Sequence, residues 1–290
     1  MPANSSPLIS IIIVVYNGSA TLQAAIDSVL GQSYERKELL IIDGGSRDGT
    51  SGIIQRNDQG IAYTVSEKDN GIYHAMNKGI AAAKGDWIYF LGADDVLFTP
   101  TVLADIFLQN GLEHVDFLYG EVAYTNEKKQ YLGGEKNYVQ LVDANICHQA
   151  IFFRKEIFEK LGPYNTRYAI VSDHAKNIEI YRDESLKKNY LPTIIALFNN
   201  SGASSDTIDK HFHGDMLDIF LGKDRVSWFA PQLQQYHFYY GIVNLLAGKL
   251  PTAIKHIPAS WLSGRRKIFY FFFTGKFVMR ILSRRKIKLK

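Results

Sequence analysis

Apolar and polar positions alternate in blocks along the first third of the chain. Residues 8–15 form an uncharged, β-branched run, the pattern of a strand buried on both faces. Tyr16-Asn17-Gly18-Ser19 follows as turn material. Leu22, Ala25, Ile26, Val29 and Leu30 then recur at helical spacing, with Ser19 or Thr21 as a cap and a stop near Gly31. A second strand is predicted over 39–42, running into Asp43, and a third over 61–65. Between them the glycine-rich GGSRDGT leads into a short helix capped by Thr50. A helix over 72–83 and a fourth strand over 87–91 complete the series, the last closing in Gly92-Ala93-Asp94-Asp95.

Strand and helix thus alternate from residue 8 to residue 95, which predicts an α/β fold with a mainly parallel sheet flanked by helices. Such sheets bind ligands at the carboxyl ends of their strands. Polar residues collect there four times over: Tyr16-Asn17, Asp43, the segment 67–69, and Asp94-Asp95. Beyond residue 100 the pattern is less regular. A buried strand is predicted over 147–153, a helix over 155–161 and another after Ser172, and a run of small residues at 201–205 marks the edge of the domain. Neither a repeat nor a low-complexity tract is visible.

Composition adds two constraints. Of 290 residues 46% are apolar, enough for a sizeable core and against global disorder. The single cysteine, Cys147, allows no disulfide within the chain and fits a reducing compartment. No basic leader precedes the opening apolar stretch, and that stretch is too short to span a bilayer. Charge is divided unevenly. Residues 1–224 hold all 29 acids and 20 of the 33 Lys and Arg, a balance of −9, whereas residues 225–290 carry 13 basic residues and no acid. In that tail Phe269, Phe273, Phe277 and Ile281 recur every fourth residue, beside a second series, Lys276, Arg280 and Arg284. On a helix these are neighbouring apolar and cationic stripes, suited to the interface of an anionic membrane. A helix packed on the core or on another subunit has the same pattern.

Several residues are candidates for chemistry. GGSRDGT contains neither GxGxxG nor GxxxxGK[ST], which argues against dinucleotide and P-loop sites. It is either a plain turn or a loop in which Asp43 accepts from a nucleobase. Adjacent carboxylates such as Asp94 and Asp95 repel unless a cation joins them or solvent surrounds them, and hard divalent ions bind through one or two acids plus substrate phosphates. Asp173, in SDHAK, is either a first-turn acid favoured by the helix dipole or a general base. Adjacent Cys147 and His148 point to opposite faces if they lie on a strand, so Cys147 is read as an inert thiol.

SIIIVVYNGSATLQAAIDSVLGQSY, IIDGGSRDGT, SEKDNGIYHAMNKGIAAAKGDWIYFLGADD and CHQAIFFRKEIFEKLG with IVSD together resemble family 2 glycosyltransferases of the GT-A fold, in the branch that builds bacterial surface polysaccharides. The likeness covers roughly residues 8–200. It implies a catalytic domain over 1–204, with a nucleotide-sugar half at about 8–98 and an acceptor half at about 99–204, followed by a helical, basic extension over 205–290. It further implies inverting transfer from a nucleotide-diphospho-sugar, UDP-linked, to a hydroxyl of a lipid-linked glycan. By the same likeness Tyr16, Asn17, Asp43, Asp69, Asn77 and Asp94 bind the donor, and Asp94 and Asp95 hold a divalent metal, Mn2+ or Mg2+. Asp173 is the base, and His148 and Gln149 face the acceptor. Two positions depart from the family pattern: Gly92 stands where many relatives have Asp or Asn, and Ala175 where many carry a second acid. The expected partners are the donor, the glycan acceptor and an anionic membrane surface reached through 225–290, with no nucleic acid and a homo-oligomer left open. The expected location is cytoplasmic, peripheral on the inner face of the plasma membrane. The rival readings are a catalytically inactive sugar-nucleotide-binding scaffold and a nucleotidyltransferase. Retention of Asp43, Asp94, Asp95 and Asp173 argues against the first, and the absence of a basic glycine-rich loop after the first strand argues against the second.

Overall fold

The computed structural model describes residues 6–199 apart from 110, 125–130 and 139, together with 209, 211, 212, 215 and 219. The aromatic and cationic stripes of the tail, and the predicted membrane surface over 225–290, lie outside the described residues. The chain divides into two compact units, residues 1–136 with 146–202, and 137–145 with 203–290. The strand-end residues and Asp173 all belong to the first.

The core strand is β1 (Ile9–Val15), whose uncharged side chains are almost all buried. It lies between β2 (Lys37–Asp43) and β4 (Trp87–Gly92), parallel to both, and β3 (Tyr63–Ser66) pairs in parallel with the outer side of β2. The registers Val15 with Asp43, Val14 with Gly92 and Asp43 with Ser66 bring the carboxyl ends level. Each predicted polar cluster therefore arrives at the same sheet edge. Helix α1 (Leu22–Leu30) buries Leu22, Ala25, Ile26 and Val29, as its spacing requires. Helix α2 (Thr50–Arg56) does not use Thr50 as its cap. The main chain turns at Gly49, with φ of +99°, and Asp48 Oδ1 accepts from Thr50 N at 3.1 Å. Helix α3 (Ile72–Ala82) packs very close to the sheet at Gly79, where a Cβ would fall 2.5 Å from Ile12 Cγ2.

Past β4 the sheet continues through elements that hydrophobic pattern alone did not reveal. A short β5 (Val96–Leu97), α4 (Val102–Phe107), an eight-residue β6 (Phe117–Tyr124) and β7 (Tyr131–Leu132) come first, and α5 (Gln140–Asp143) lies in the second unit. The strand expected over 147–153 is shorter: His148–Ala150 forms a 3-10 turn, and β8 begins only at Ile151 and ends at Arg154. The turn is closed by Ala150 N donating to Cys147 O at 2.9 Å. The strand-alternation argument for Cys147 and His148 therefore does not apply. Helix α6 (Lys155–Leu161) and helix α7 (Ser172–Arg182) follow, then the eleven-residue β9 (Lys188–Phe198). Among the described residues the sheet order is β3-β2-β1-β4-β8-β6-β9-β5, with β7 on β6. β8 is antiparallel to β4 and to β6, while β6 and β9 are parallel. Strand β9 carries Pro192, which has no N–H for the ladder and obscures the strand in the sequence. The β6–β9 pair accommodates this with a register shift around Gly120, where a Cβ would meet Thr193 O at 2.5 Å. The fold is a mixed α/β sheet, mainly parallel, flanked by helices.

Candidate active site

The loops after β1 and β2 are braced into one platform. Asn17 N donates to Ser46 Oγ (2.7 Å) and Arg47 N to Asn17 Oδ1 (2.9 Å). Gly18 N donates to Thr50 Oγ1 (3.0 Å) and Ser19 N to Asp48 Oδ2 (2.9 Å). Asn17 adopts φ of +52°, the left-handed region in which Asn is among the tolerated side chains. Its side chain serves the loop rather than presenting an amide to a ligand. Asp43 lies beneath this platform with 0% exposure. Its oxygens accept from Ser46 N at 3.1 and 3.2 Å, from Ser46 Oγ at 2.5 Å and from Ser66 Oγ at 2.5 Å. The expected free nucleobase acceptor is thus a buried anchor for the loop.

Open space at this edge is framed by other residues. Tyr16 is 66% exposed. A Cβ built on Gly44 would lie 3.4 Å from both Tyr16 Cδ2 and Asp69 Oδ2, so these two side chains flank a bare stretch of backbone. Asp69 Oδ1 is held by Lys78 Nζ at 2.7 Å and His74 Nδ1 at 3.0 Å. Asp69 Oδ2 is buried and makes no hydrogen bond among the described residues. A buried carboxylate oxygen without a donor is costly, and a ligand N–H or hydroxyl removes that cost. A shallow cleft of about 380 Å³ lies on the outer side of β3 and α3, between Tyr63 and Ala82; none of Asp43, Asp94, Asp95 and Asp173 lines it.

At the end of β4 the two adjacent acids differ in environment. Asp94 is exposed and makes no hydrogen bond among the described residues. Asp95 is 1% exposed; Gln149 Nε2 donates to its Oδ2 at 2.6 Å and Asn199 N to its Oδ1 at 2.8 Å. Burial pushes the Asp95 carboxyl up, the Asp94 charge adds to this, and the two donors oppose it. Asp95 is therefore engaged as a structural tie, and of the two acids expected at the metal, Asp94 is the one that presents its carboxylate outward. Gly92 leaves room for both carboxylates as they stand, since a Cβ there would fall 2.3 Å from Asp95 Oδ2 and 3.1 Å from Asp94 Oδ1 and would displace them. Gln149, expected on the acceptor side, is buried, with its amide oxygen accepting from Cys147 Sγ at 2.8 Å. Desolvation pushes the Cys147 thiol up to about 12, which makes it inert at neutral pH.

Asp173 opens α7, buried at 8% exposure. Tyr73 Oη lies 2.7 Å from its Oδ1, and His148 Nδ1 lies 3.8 Å from its Oδ2. Burial raises the Asp173 carboxyl, but His148, the Tyr73 hydroxyl and His174 together outweigh burial and hold it below the usual carboxylate value. Ser172 does not cap the helix; the N-cap position is Val171, and Ser172 Oγ is buried without a partner among the described residues. Asn77 also departs from its expected role. Its Nδ2 donates to Tyr164 O and its Oδ1 accepts from Tyr164 N, both at 2.9 Å, so it clamps the segment before α7.

The sequence profile described as Glycosyl transferase family 2 matches residues 10–162, more than half of the chain. The chain belongs to this family. A PGL/p-HBAD biosynthesis glycosyltransferase of Mycobacterium bovis (strain BCG / Pasteur 1173P2) is 37% identical over 214 residues, covering 72% of this chain and 83% of the relative. An uncharacterized glycosyltransferase of Mycobacterium tuberculosis (strain CDC 1551 / Oshkosh) is 33% identical over 185 residues, 58% of this chain and 67% of its own. Among solved structures, S. aureus TarS 1–349 in complex with UDP-GlcNAc aligns with a TM-score of 0.65 at 15% identity, over 88% of this chain and 81% of that one. The mannosyltransferase PcManGT from Pyrobaculum calidifontis, in complex with GDP-Man and Mn2+, aligns with a TM-score of 0.53 at 19% identity, over 94% and 81%. At these identities the two structures establish the shared fold.

For a family 2 glycosyltransferase, the donor set around Asp94 is compatible with a divalent cation. One outward carboxylate, with Asp95 engaged elsewhere, suits an ion that completes its shell with water and diphosphate oxygens. Among the described residues no group of three or more His, Cys, Asp or Glu could hold a metal. No helix among them is long and apolar enough to cross a membrane. Sequence reasoning missed Tyr73, Ser46 and Ser66. Only the last two left a signal, as hydroxyl residues within and after the strand-end loops.

Proposed function

We propose that this glycosyltransferase moves a sugar, with inversion, from a nucleoside diphosphate sugar to a hydroxyl of a lipid-linked glycan in bacterial surface polysaccharide synthesis. The observation that carries the reading is Asp173, a buried carboxylate kept ionised between Tyr73 and His148 in the same unit as the strand-end acids. The donor is UDP-linked, its nucleoside lying over Gly44 between Tyr16 and Asp69, with Asp43 and Asn17 fixing the loops beneath. Asp94 would hold a divalent cation, Mn2+ or Mg2+, and such an ion would supply positive charge against the charge growing on the leaving diphosphate. Asp173 takes the proton of the acceptor hydroxyl as that oxygen attacks the anomeric carbon, and His148 lies on the acceptor side. A positioned base contributes about two to four powers of ten.

The test uses the full chain. Isothermal titration with UDP, with and without Mn2+, should give metal-dependent binding that Asp94→Asn removes. Unchanged metal-dependent affinity in that variant refutes the assignment. Release of UDP from UDP-GlcNAc or UDP-glucose, or of GDP from GDP-mannose, should fall about a hundredfold or more in Asp173→Asn with donor binding retained. A near wild-type rate removes Asp173 as base. The residues 205–290 are proposed as a peripheral anchor, on the strength of 13 basic residues without an acid over 225–290. Co-sedimentation should occur with anionic vesicles, weaken as salt rises and be absent with neutral ones. Salt-independent or absent binding refutes the anchor.

A further inference from the structure

We infer that Tyr73 is a positioning residue that fixes the Asp173 carboxylate from the donor-side helix α3. The inference rests on the reading of Asp173 as the base. The Tyr73 phenol is buried at 5% exposure, and its hydroxyl lies 2.7 Å from Asp173 Oδ1 and 2.6 Å from Ile170 O. Both neighbours are acceptors and the hydroxyl has one proton, so the ionised carboxylate takes it in preference to the neutral carbonyl. Held through Oδ1, the carboxylate turns Oδ2 toward His148.

The geometry of α3 shows why this contact is rigid. Tyr73 and Asn77 lie one turn apart on the helix. The first meets Asp173 and Ile170 and packs its ring on Tyr164 at 5.3 Å, and the second grips the Tyr164 main chain on both sides. The neighbouring stripe, His74 and Lys78, holds Asp69. A third contact, Gly79 against Ile12, seats the helix on β1. One helix thus sets both the acid beside the nucleoside position and the orientation of the base. Among the described residues, the groups facing Asp173 include His148 and Cys147 from the 148–150 turn and its approach, Tyr73 from α3, Tyr164 from the segment before α7, and His174 of α7 itself. Tyr73 donates the 2.7 Å hydrogen bond to Asp173 Oδ1.

Tyr73→Phe removes the hydroxyl and keeps the ring. Carbon-detected NMR titration of the aspartate carboxyl groups, with the Asp173 signal assigned by its loss in Asp173→Asn, reads the effect without any substrate. The midpoint of Asp173 should rise by about one pH unit in Tyr73→Phe, because a donor to the charged form has gone. Tyr164→Phe, whose hydroxyl has no partner among the described residues, should leave it in place. An unmoved midpoint in folded Tyr73→Phe overturns the inference, as does an equal rise in Tyr164→Phe, which would signal general packing. If Tyr73→Phe does not purify folded, 3-fluorotyrosine placed at position 73 is a stronger donor and must lower the midpoint; no change overturns the inference equally. The two readings separate cleanly. If the midpoint rises but Asp173→Asn keeps donor turnover, the base assignment falls and the catalytic meaning of Tyr73 with it. If Asp173→Asn is inactive and the midpoint does not move, the Tyr73 link alone falls.

Discussion

Asp95→Ala tests the division of labour at the end of β4. The carboxylate ties the end of β4 to the 148–150 turn through Gln149 and to the residue after β9 through Asn199 N. Removing it takes the acceptor from a buried donor, Gln149 Nε2, and from a part-buried one, Asn199 N, at about 1–3 kcal/mol for a buried donor and less for the other, while relieving the cost of a buried charge. The net loss is about 3 kcal/mol. For a chain of this size that lowers the melting temperature by roughly 6–10 °C. Asp94→Ala is the matched control. Its carboxylate is exposed and makes no hydrogen bond among the described residues, so the loss should stay within about 0.5 kcal/mol. Urea unfolding followed by tryptophan fluorescence measures both, and titration with UDP and Mn2+ should show the opposite order, with Asp94→Ala the more damaged. Equal destabilisation of the two variants, or a stable Asp95→Ala that loses metal-dependent binding, would refute the assignment of Asp95 as a tie.

Asp173 is held below the usual carboxylate value, so the stability it contributes is present above that value and is lost as pH falls through its folded value. The stability gap between wild type and Asp173→Asn should therefore shrink as pH falls below about 4; a gap that persists undiminished down to about pH 2 contradicts the sign. Cys147, pushed up to about 12, should resist iodoacetamide at pH 8 in the folded protein and react once unfolded in urea. Alkylation of folded protein at the unfolded rate contradicts its desolvation.

The parallel half of the fold was legible because its signals are local. The β-branched run of β1 and the spacing of Leu22, Ala25, Ile26 and Val29 each specify an element without reference to the rest of the chain. Strand β9 was not, because Pro192 breaks its pattern and its partner β6 absorbs the fault at Gly120, 72 positions away. The same distinction governs the site. That Asp43, Asp69, Asp94 and Asp95 gather at strand ends follows from alternation. Which of them is covered depends on contacts between distant segments: Ser66 over Asp43, Gln149 and Asn199 on Asp95. Asn77 shows the limit of motif transfer, since its amide meets Tyr164, 87 positions on, instead of a ligand. Tyr73 carried no sequence signal, because a tyrosine at an apolar helical position reads as core.

The course of α3 bears on how this chain could exchange parts with its relatives. The seam where parallel β4 meets antiparallel β8 is a natural joint for grafting the later part of a relative onto the earlier part of this chain. Helix α3 precedes that joint in the chain, yet Tyr73 and Asn77 reach over to residues 164–173 beyond it. A hybrid spliced after β4 would inherit one parent's grip and the other parent's segment to be gripped. Successful recombinants must carry α3 together with the 162–173 stretch as a single cassette.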